Sequence, residues 1–175
     1  RQMMDTAIDC PLHLIVAVDE RWGIGRDGSI PWHYPADLAH FRESTAGKVM
    51  VMGRITFESL PSSLQALATN PGAGDRDIVV LSSHGPTAER PWVRESLSEA
   101  IDFARAEYSK RDGIVVCGGR GVYMEAMTRL DLDLMIISRI PGDHDCDTFF
   151  PLPPRGRFQR ERVDRIGHHS NRQGR

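Results

Sequence analysis

The sequence predicts an α/β fold: a single central, mostly parallel β-sheet flanked by helices. Three observations carry that expectation. Five short runs, LIVAV (14–18), VMVM (49–52), IVVL (78–81), IVVC (114–117) and LMII (134–137), are apolar almost without interruption, as strands covered on both faces are. Segments with helical spacing alternate with them, which points to strand–helix units in one sheet. The chain has 175 residues, 40% of them hydrophobic, which suits one domain with a sizeable core.

Each element has its own local warrant. LIVAV opens the sheet. The helix expected over 36–45 follows Pro35, and proline suits a first helical turn. After VMVM a helix is expected from Thr56, as its N-cap, to about Leu67. TNPGAGDRD (69–77) is a Gly/Pro-rich excursion before IVVL. Ser96 opens a capping-box pattern, S-x-x-E, for a helix to Tyr108 that places Leu97, Ala100, Ile101 and Ala104 on one face. A short helix over 122–130 links IVVC to LMII, and PGDHDCDT (141–148) is a second excursion. From Arg155 the chain carries seven arginines against two acids. FQRERV allows a strand, but RIGHHSNRQGR has almost nothing apolar. The expected organisation is therefore a domain over 12–154 and a basic, solvated tail over 155–175, read ahead of an RNA-binding arm.

Composition excludes several classes. A net charge of −2 provides no basic field for nucleic acid. No apolar run approaches the roughly 20 residues of a membrane span, and RQMMDTAIDCP lacks the pattern of a secretory leader. Cys10, Cys117 and Cys146 are odd in number and without CxxC spacing, which predicts reduced thiols and a cytoplasmic protein. No metal-ligand spacing is present.

Three loops at the ends of strands have the character of phosphate sites. IVVC leads into GGRGVY, where Gly118, Gly119 and Gly121 would admit close backbone approach and the next helix would aim N–H groups at an anion. VMVM leads into Gly53 and Arg54, and IVVL into Ser82 and Ser83. Ligands of open α/β sheets gather beyond the carboxyl ends of strands, so three such loops suggest a dinucleotide. None has the GxGxxG spacing, and each alone also reads as a plain turn or a surface charge. Arg54 with two serines, and Arg94 further on, suits a 2′-phosphate and favours NADP over NAD.

The segment GSIPWHYPADLAHFR (28–42) places one acid, Asp37, among Ile30, Trp32, Tyr34, Leu38 and Phe41. Two readings stand. Asp37 is an acid in a first helical turn, favourable with the helix dipole. Or it is a carboxylate at the rim of an apolar cleft, poised for a ligand that donates two parallel N–H bonds, as the amidine-like edge of a pterin does.

The segments GIGRDGSIPWHYPADLAHFR, VMVMGRITFESL, IVVLSS, VVCGGRGVY and DTFFP resemble dihydrofolate reductase, in one order from about Leu12 to Pro151, roughly four-fifths of the chain. The resemblance implies reduction of 7,8-dihydrofolate to 5,6,7,8-tetrahydrofolate by hydride transfer from NADPH to C6 and protonation at N5. By position, Asp37 resembles the carboxylate that holds the pterin 2-amino group and adjacent ring N–H. Ile15, Val16, Leu38, Phe41, Leu60, Leu64 and Cys117 correspond to walls around the pterin and aminobenzoyl rings. Trp32 and Ser138 correspond to groups that support Asp37, with Trp32 and Asp37 forming the catalytic pair. Thr56 and Tyr123 fall where nicotinamide and substrate approach. Ala17, Ile24, Gly53, Arg54, Leu81, Ser82, Ser83, Gly119, Arg120, Gly121, Val122 and Thr148 match cofactor positions. Arg76 matches the arginine that binds the α-carboxylate of the substrate's glutamate tail, and its other reading is an ion pair with Asp75 and Asp77. Residues 24–30 resemble the loop that closes over the nicotinamide, and the Gly118–Gly119 peptide is expected to be cis.

Two departures accompany the resemblance. The family ends in an apolar, aromatic strand within the sheet, and RIGHHSNRQGR has none, so that strand is expected to be missing or remodelled, leaving an edge exposed. Ile30 stands where methionine or leucine is common. The implied protein is a monomer acting on a small molecule. Its rivals are a pyrimidinone reductase of the riboflavin route, for which the PADL element is the wrong signature, and a non-catalytic NADP-binding relative.

Overall fold

The computed structural model describes residues 10–160 and 163–164. Among the described residues, eight strands and five helices follow in chain order: β1 Leu12–Val18, β2 Gly23–Gly25, α1 Pro35–Thr45, β3 Val49–Gly53, α2 Arg54–Glu58, α3 Ser62–Thr69, β4 Asp77–Leu81, β5 Val93–Arg94, α4 Leu97–Glu107, β6 Ile114–Val116, α5 Arg120–Thr128, β7 Leu132–Arg139 and β8 Thr148–Phe149. Six strands form one sheet in the order β5-β4-β3-β6-β1-β7. All its pairings are parallel. β2 and β8 form a separate antiparallel pair.

All five apolar runs lie in strands of this sheet, and for four of them the reason is double burial; LMII, on β7 at the edge of the described sheet, is half-buried. Alternate residues divide between two cores. Leu12, Leu14, Val16, Val18, Val49, Val51, Val79, Ile114 and Val116 pack with Leu97, Ala100, Ile101 and Ala104 of α4 and with Tyr123, Ala126 and Met127 of α5. Ile15, Met50, Met52, Ile78, Val80 and Val115 pack on the other face with Phe41, Phe57, Leu60 and Leu67, which α1, α2, α3 and their junction supply. A strand buried on both faces has no polar side to alternate with.

The helices differ in detail from the sequence expectation. The one expected from Thr56 to Leu67 is two. α2 starts at Arg54 with Gly53 as its N-cap and no side-chain cap, and Thr56 lies inside it. α3 restarts after Pro61, which lacks the N–H that a continuous helix would need. α5 starts two residues before Val122 and stops before Leu130, which is 95% exposed. α4 is capped as expected, the Glu99 N–H donating to Ser96 Oγ at 3.1 Å.

Among the described residues no strand follows β8, and Phe158–Arg160, the start of the expected FQRERV strand, is irregular. Residues 161–162 of that segment, and RIGHHSNRQGR from 165, lie outside the described residues. The first part of the tail is nonetheless fastened to the domain. The Arg157 guanidinium donates to the carbonyls of Met127 and Arg129 at the end of α5, and Phe158 packs against the first core. β7 is an edge strand among the described residues.

Strand order reverses between β1 and its neighbours: the chain moves outward through β3, β4 and β5, returns as β6 beside β1, then adds β7 on the far side. The carboxyl ends at such a reversal form a crevice for ligands. Val18, Gly53, Leu81, Val116 and Arg139 end their strands there.

Candidate active site

The crevice is assembled from loops that leave these strand ends. At its centre the Gly53 N–H donates to the Gly118 carbonyl at 2.9 Å, tying the end of β3 to the loop after β6. The Gly118–Gly119 peptide is cis. Gly118 has φ +134°, and a Cβ there would sit 3.1 Å from Thr56 Oγ1 and 3.5 Å from the Tyr123 hydroxyl. A Cβ on Gly121 would meet nothing within 4 Å. Gly119 is the N-cap of α5 and provides no side-chain hydrogen bond to its first N–H groups. Val122 approaches Gly53 from α5. Tyr123 is buried and donates to the Ile15 carbonyl at 2.8 Å, which holds α5 against β1.

Parallel register places the next groups side by side. Gly53 is opposite Leu81, so Arg54 and Ser82 emerge together, with Ser83 following and exposed. Arg54 directs Nη1 to both Glu58 oxygens, at 2.7 and 3.0 Å. Arg94 stands beside the same edge through its backbone, opposite Leu81 and accepting from the Ser82 N–H at 2.9 Å, but its guanidinium turns to the Phe103 ring, 3.7 Å from the centroid, and donates to the Pro91 and Val93 carbonyls. Arg120 likewise turns its Nε to the Phe149 carbonyl at 3.1 Å. Arg54 and Arg94 both flank the serine edge, Arg54 with its guanidinium on the Glu58 carboxylate and Arg94 with its guanidinium on Phe103.

Asp37 occupies the third position of α1, after Pro35. A cleft of about 110 Å³ lies beside it, lined by Ile30, Trp32, His33, Tyr34, Asp37 and Leu38. Ile30 and Leu38 are 59% and 56% exposed, apolar surface left open beside a carboxylate. Burial raises the Asp37 carboxyl above its ordinary value, while the hydroxyl of Ser138 and the charge of His40 oppose the rise. Ser138, 8% exposed, stands on β7 opposite Ala17 of β1. Ile15, Phe41, Leu60, Cys117 and Ile136 form the floor on the same face of the sheet. Val16 points to the opposite core and contributes backbone there. Burial pushes the Cys117 thiol up to about 12, with Arg76 pulling it down, so the thiol is a neutral wall group rather than a nucleophile. Leu64 is half-buried on α3.

Arg76 is 4% exposed. It donates through Nη1 to the Thr45 hydroxyl at 3.1 Å and through Nε to Asp75 at 3.4 Å. Asp77 is paired instead with Arg111 at 2.8 Å, so one half of the expected ion-pair reading is absent. A larger groove of about 320 Å³, between Phe57, Gln65, Thr69 and Trp92, is lined by none of the residues read as substrate or cofactor positions.

The loop over 24–30 is a built element. β2 pairs with β8, Gly25 opposite Thr148. Its tip is a two-residue turn, Asp27 at φ 52° and Gly28 at φ 78°, closed by reciprocal bonds between Arg26 and Ser29. Asp-Gly satisfies the two positive φ values such a hairpin turn needs. Asp147 accepts from the Asp27 N–H at 2.9 Å, and Arg26 Nη1 donates to the His144 carbonyl at 3.1 Å. His144 in turn meets the Trp32 ring edge-on at 5.2 Å.

Sequence reasoning missed Asp19. It is 1% exposed at the end of β1. Its carboxylate accepts from the N–H groups of Arg21 at 2.9 Å, Gly23 at 2.8 Å and His144 at 3.0 Å, and from the Cys146 thiol at 3.6 Å. It joins the 19–30 loop to the 141–147 loop. An acid directly behind LIVAV was a visible signal, because a buried carboxylate must find donors. Among the described residues no cluster of His, Cys, Asp or Glu could hold a metal ion, and no helix is long and apolar enough to cross a membrane.

Comparison with known proteins agrees with this geometry. The family model described as dihydrofolate reductase matches residues 11–173. Dihydrofolate reductase of Schistosoma mansoni is 36% identical over 80% of this chain and 77% of its own length. That of Haemophilus influenzae is also 36% identical, over 79% and 77%. Among solved structures, dihydrofolate reductase from Enterococcus faecalis complexed with NADP(H) and RAB-propyl superposes with a TM-score of 0.66 at 31% identity, covering 83% of this chain and 80% of that one.

Proposed function

The chain belongs to the dihydrofolate reductase family, and from that premise we propose how its own residues carry out the NADPH-dependent reduction of dihydrofolate to tetrahydrofolate. The observation that carries the assignment of roles is the Asp37 carboxylate at the rim of a cleft whose apolar side chains, Ile30 and Leu38, are left exposed. A folate pterin offers a flat apolar face and an edge with two N–H donors. The cleft supplies the complementary wall and a charged, two-oxygen acceptor.

Bound NADPH supplies the hydride. The donor set fits that group: a glycine cradle with space beyond Gly121, uncapped N–H groups of α5 for the pyrophosphate, and Arg54 beside Ser82 and Ser83 for the 2′-phosphate. Thr56, Ala17, Ile24, Leu81, Gly119, Val122 and Thr148 border the same crevice in this reading. Arg94 and Arg120 serve the fold by holding Phe103 and Phe149. Asp37 fixes the pterin through its 2-amino edge and polarises it. Trp32 and Ser138 orient Asp37, and a water delivers the proton to N5, because Asp37 is committed to the other end of the ring. The 24–30 loop excludes bulk water when closed. The protein is also read as a monomer, and as cytoplasmic from a cysteine set that is odd in number and without CxxC spacing. Dihydrofolate-dependent oxidation of NADPH tests the assignment. Binding of NADPH without such turnover overturns it in favour of a non-catalytic relative.

Two variants probe its parts. Gly118→Ala places a side chain at a left-handed φ against Thr56, and is expected to weaken NADPH binding about tenfold, read by fluorescence titration. Arg76→Gln is expected to raise KM for dihydrofolate by about tenfold or more, through loss of a charge-assisted bond to the glutamate carboxylate. A dihydropterin lacking that tail should show no change. Equal losses for both substrates would make Arg76 a structural partner of Thr45 only.

A further inference from the structure

We propose that Glu58 limits the preference for a 2′-phosphorylated cofactor by competing with the 2′-phosphate for Arg54; the inference rests on the reading of Arg54 given above. Arg54 is the first residue of α2 and Glu58 the last. Arg54 Nη1 engages both oxygens of Glu58, and each side chain is 53% exposed. That carboxylate holds the guanidinium as a phosphate would, so an incoming 2′-phosphate must share or displace it.

A purely structural role for the pair is a poor account. In a helix, acid before base at i,i+4 is the favourable order, because acids suit the N-terminus and bases the C-terminus. Here the order is reversed on a helix of only five residues. Both charges oppose the helix dipole. Neither reaches another ion pair among the described residues: the salt bridges of Arg76, Arg105, Arg111 and Arg129 lie apart from it. Only the backbone carbonyl of Glu58 has a second partner, Gln65 Nε2 at 3.3 Å.

The other arginines read as cofactor groups have their guanidinium groups engaged by the fold, although the Arg94 backbone itself adjoins Ser82. Arg94 is held on Phe103 and Arg120 on the Phe149 carbonyl. Register places Ser82 beside Arg54, so the phosphate's positive partner is Arg54, with serine hydroxyls completing the seat. Glu58 adds a like charge beside that seat. It lowers affinity for every 2′-phosphorylated ligand and leaves those without that group untouched. Glu58 thereby moderates the affinity of both the reduced and the oxidised 2′-phosphorylated cofactor.

The test is Glu58→Gln, with dissociation constants for NADPH, NADP⁺, NADH and 2′,5′-ADP measured by fluorescence titration or calorimetry. The three phosphorylated ligands should bind about 3- to 10-fold more tightly at low salt, with the gain shrinking as ionic strength rises. NADH should bind as it does to wild type. Unchanged or weaker binding of the phosphorylated ligands, or an equal gain for NADH, overturns the proposal. Arg54→Gln separates the two levels. If it weakens NADPH and NADH alike, the reading of Arg54 fails. If it weakens NADPH selectively while Glu58→Gln changes nothing, only the role of Glu58 fails.

Discussion

Asp37→Asn is expected to lower kcat/KM for dihydrofolate by about 100-fold or more at neutral pH, while raising the stability of the ligand-free protein. Asn has one acceptor oxygen and no charge, and it turns an N–H₂ donor toward the pterin's own donors. Two charge-assisted bonds are lost, each worth about 1.5–3 kcal/mol. The stability change has the opposite sign. Burial raises the Asp37 carboxyl above its ordinary value, so the folded protein holds that proton more tightly than the unfolded chain. Stability from this group is full at low pH and falls as pH rises through the unfolded and then the folded value. Above both, the ionised carboxylate costs the apo fold a constant amount, which Asn removes. The melting temperature of Asp37→Asn should exceed that of wild type at pH 7, and the gap should close on acidification through the ordinary carboxylate range. Turnover near wild type would remove Asp37 from the mechanism. A lower melting temperature at pH 7 would mean that the Ser138 hydroxyl stabilises the carboxylate by more than its burial costs.

The two sequence readings of Asp37 turn out not to compete. It sits in the first turn of α1 and also at the rim of the cleft. The helix start tolerates a charge that the cleft would otherwise repel. This coincidence is why the acid was legible only as an ambiguity. The main strands were legible because both faces of each are buried, so an apolar run of four or five residues has one natural environment. β2, β5 and β8 were not, because GIG, VR and TF carry no pattern of their own and exist through pairing with distant segments. The break at Pro61 was signalled by the proline itself and passed over. Side-chain choices were the least legible. The position of Arg94 beside the serine edge was legible, but the turn of its guanidinium onto Phe103 was not. Arg76 takes Thr45, 31 residues away, rather than both neighbouring acids.

Asp19→Ala is the variant expected to damage the fold most, by about 3 kcal/mol, or roughly 6–12 °C in melting temperature. The donors of Asp19 come from two loops, and the His144 N–H lies 125 residues along the chain. Desolvation pushes the buried carboxyl up, but the backbone bonds from His144, Gly23 and Arg21, with the Cys146 thiol, outweigh it and leave the group below its ordinary value. The group therefore contributes stability above the unfolded value and loses it as pH falls through the folded one. The wild-type advantage over Asp19→Ala should be full at pH 7 and shrink in strong acid. Removing the carboxylate leaves three N–H groups unpaired in a site too crowded to remodel: a Cβ on Gly23 would already lie 2.4 Å from Cys146 Cβ. Loss of those bonds also frees His144, whose ring meets Trp32 and whose carbonyl receives Arg26. Activity should thus fall together with stability, through the loop that covers the nicotinamide and the tryptophan beside Asp37. Asp19→Asn keeps the volume and one acceptor oxygen and should fall between the two. If Asp19→Ala melts within about 1 °C of wild type, the loops are held by something other than this carboxylate.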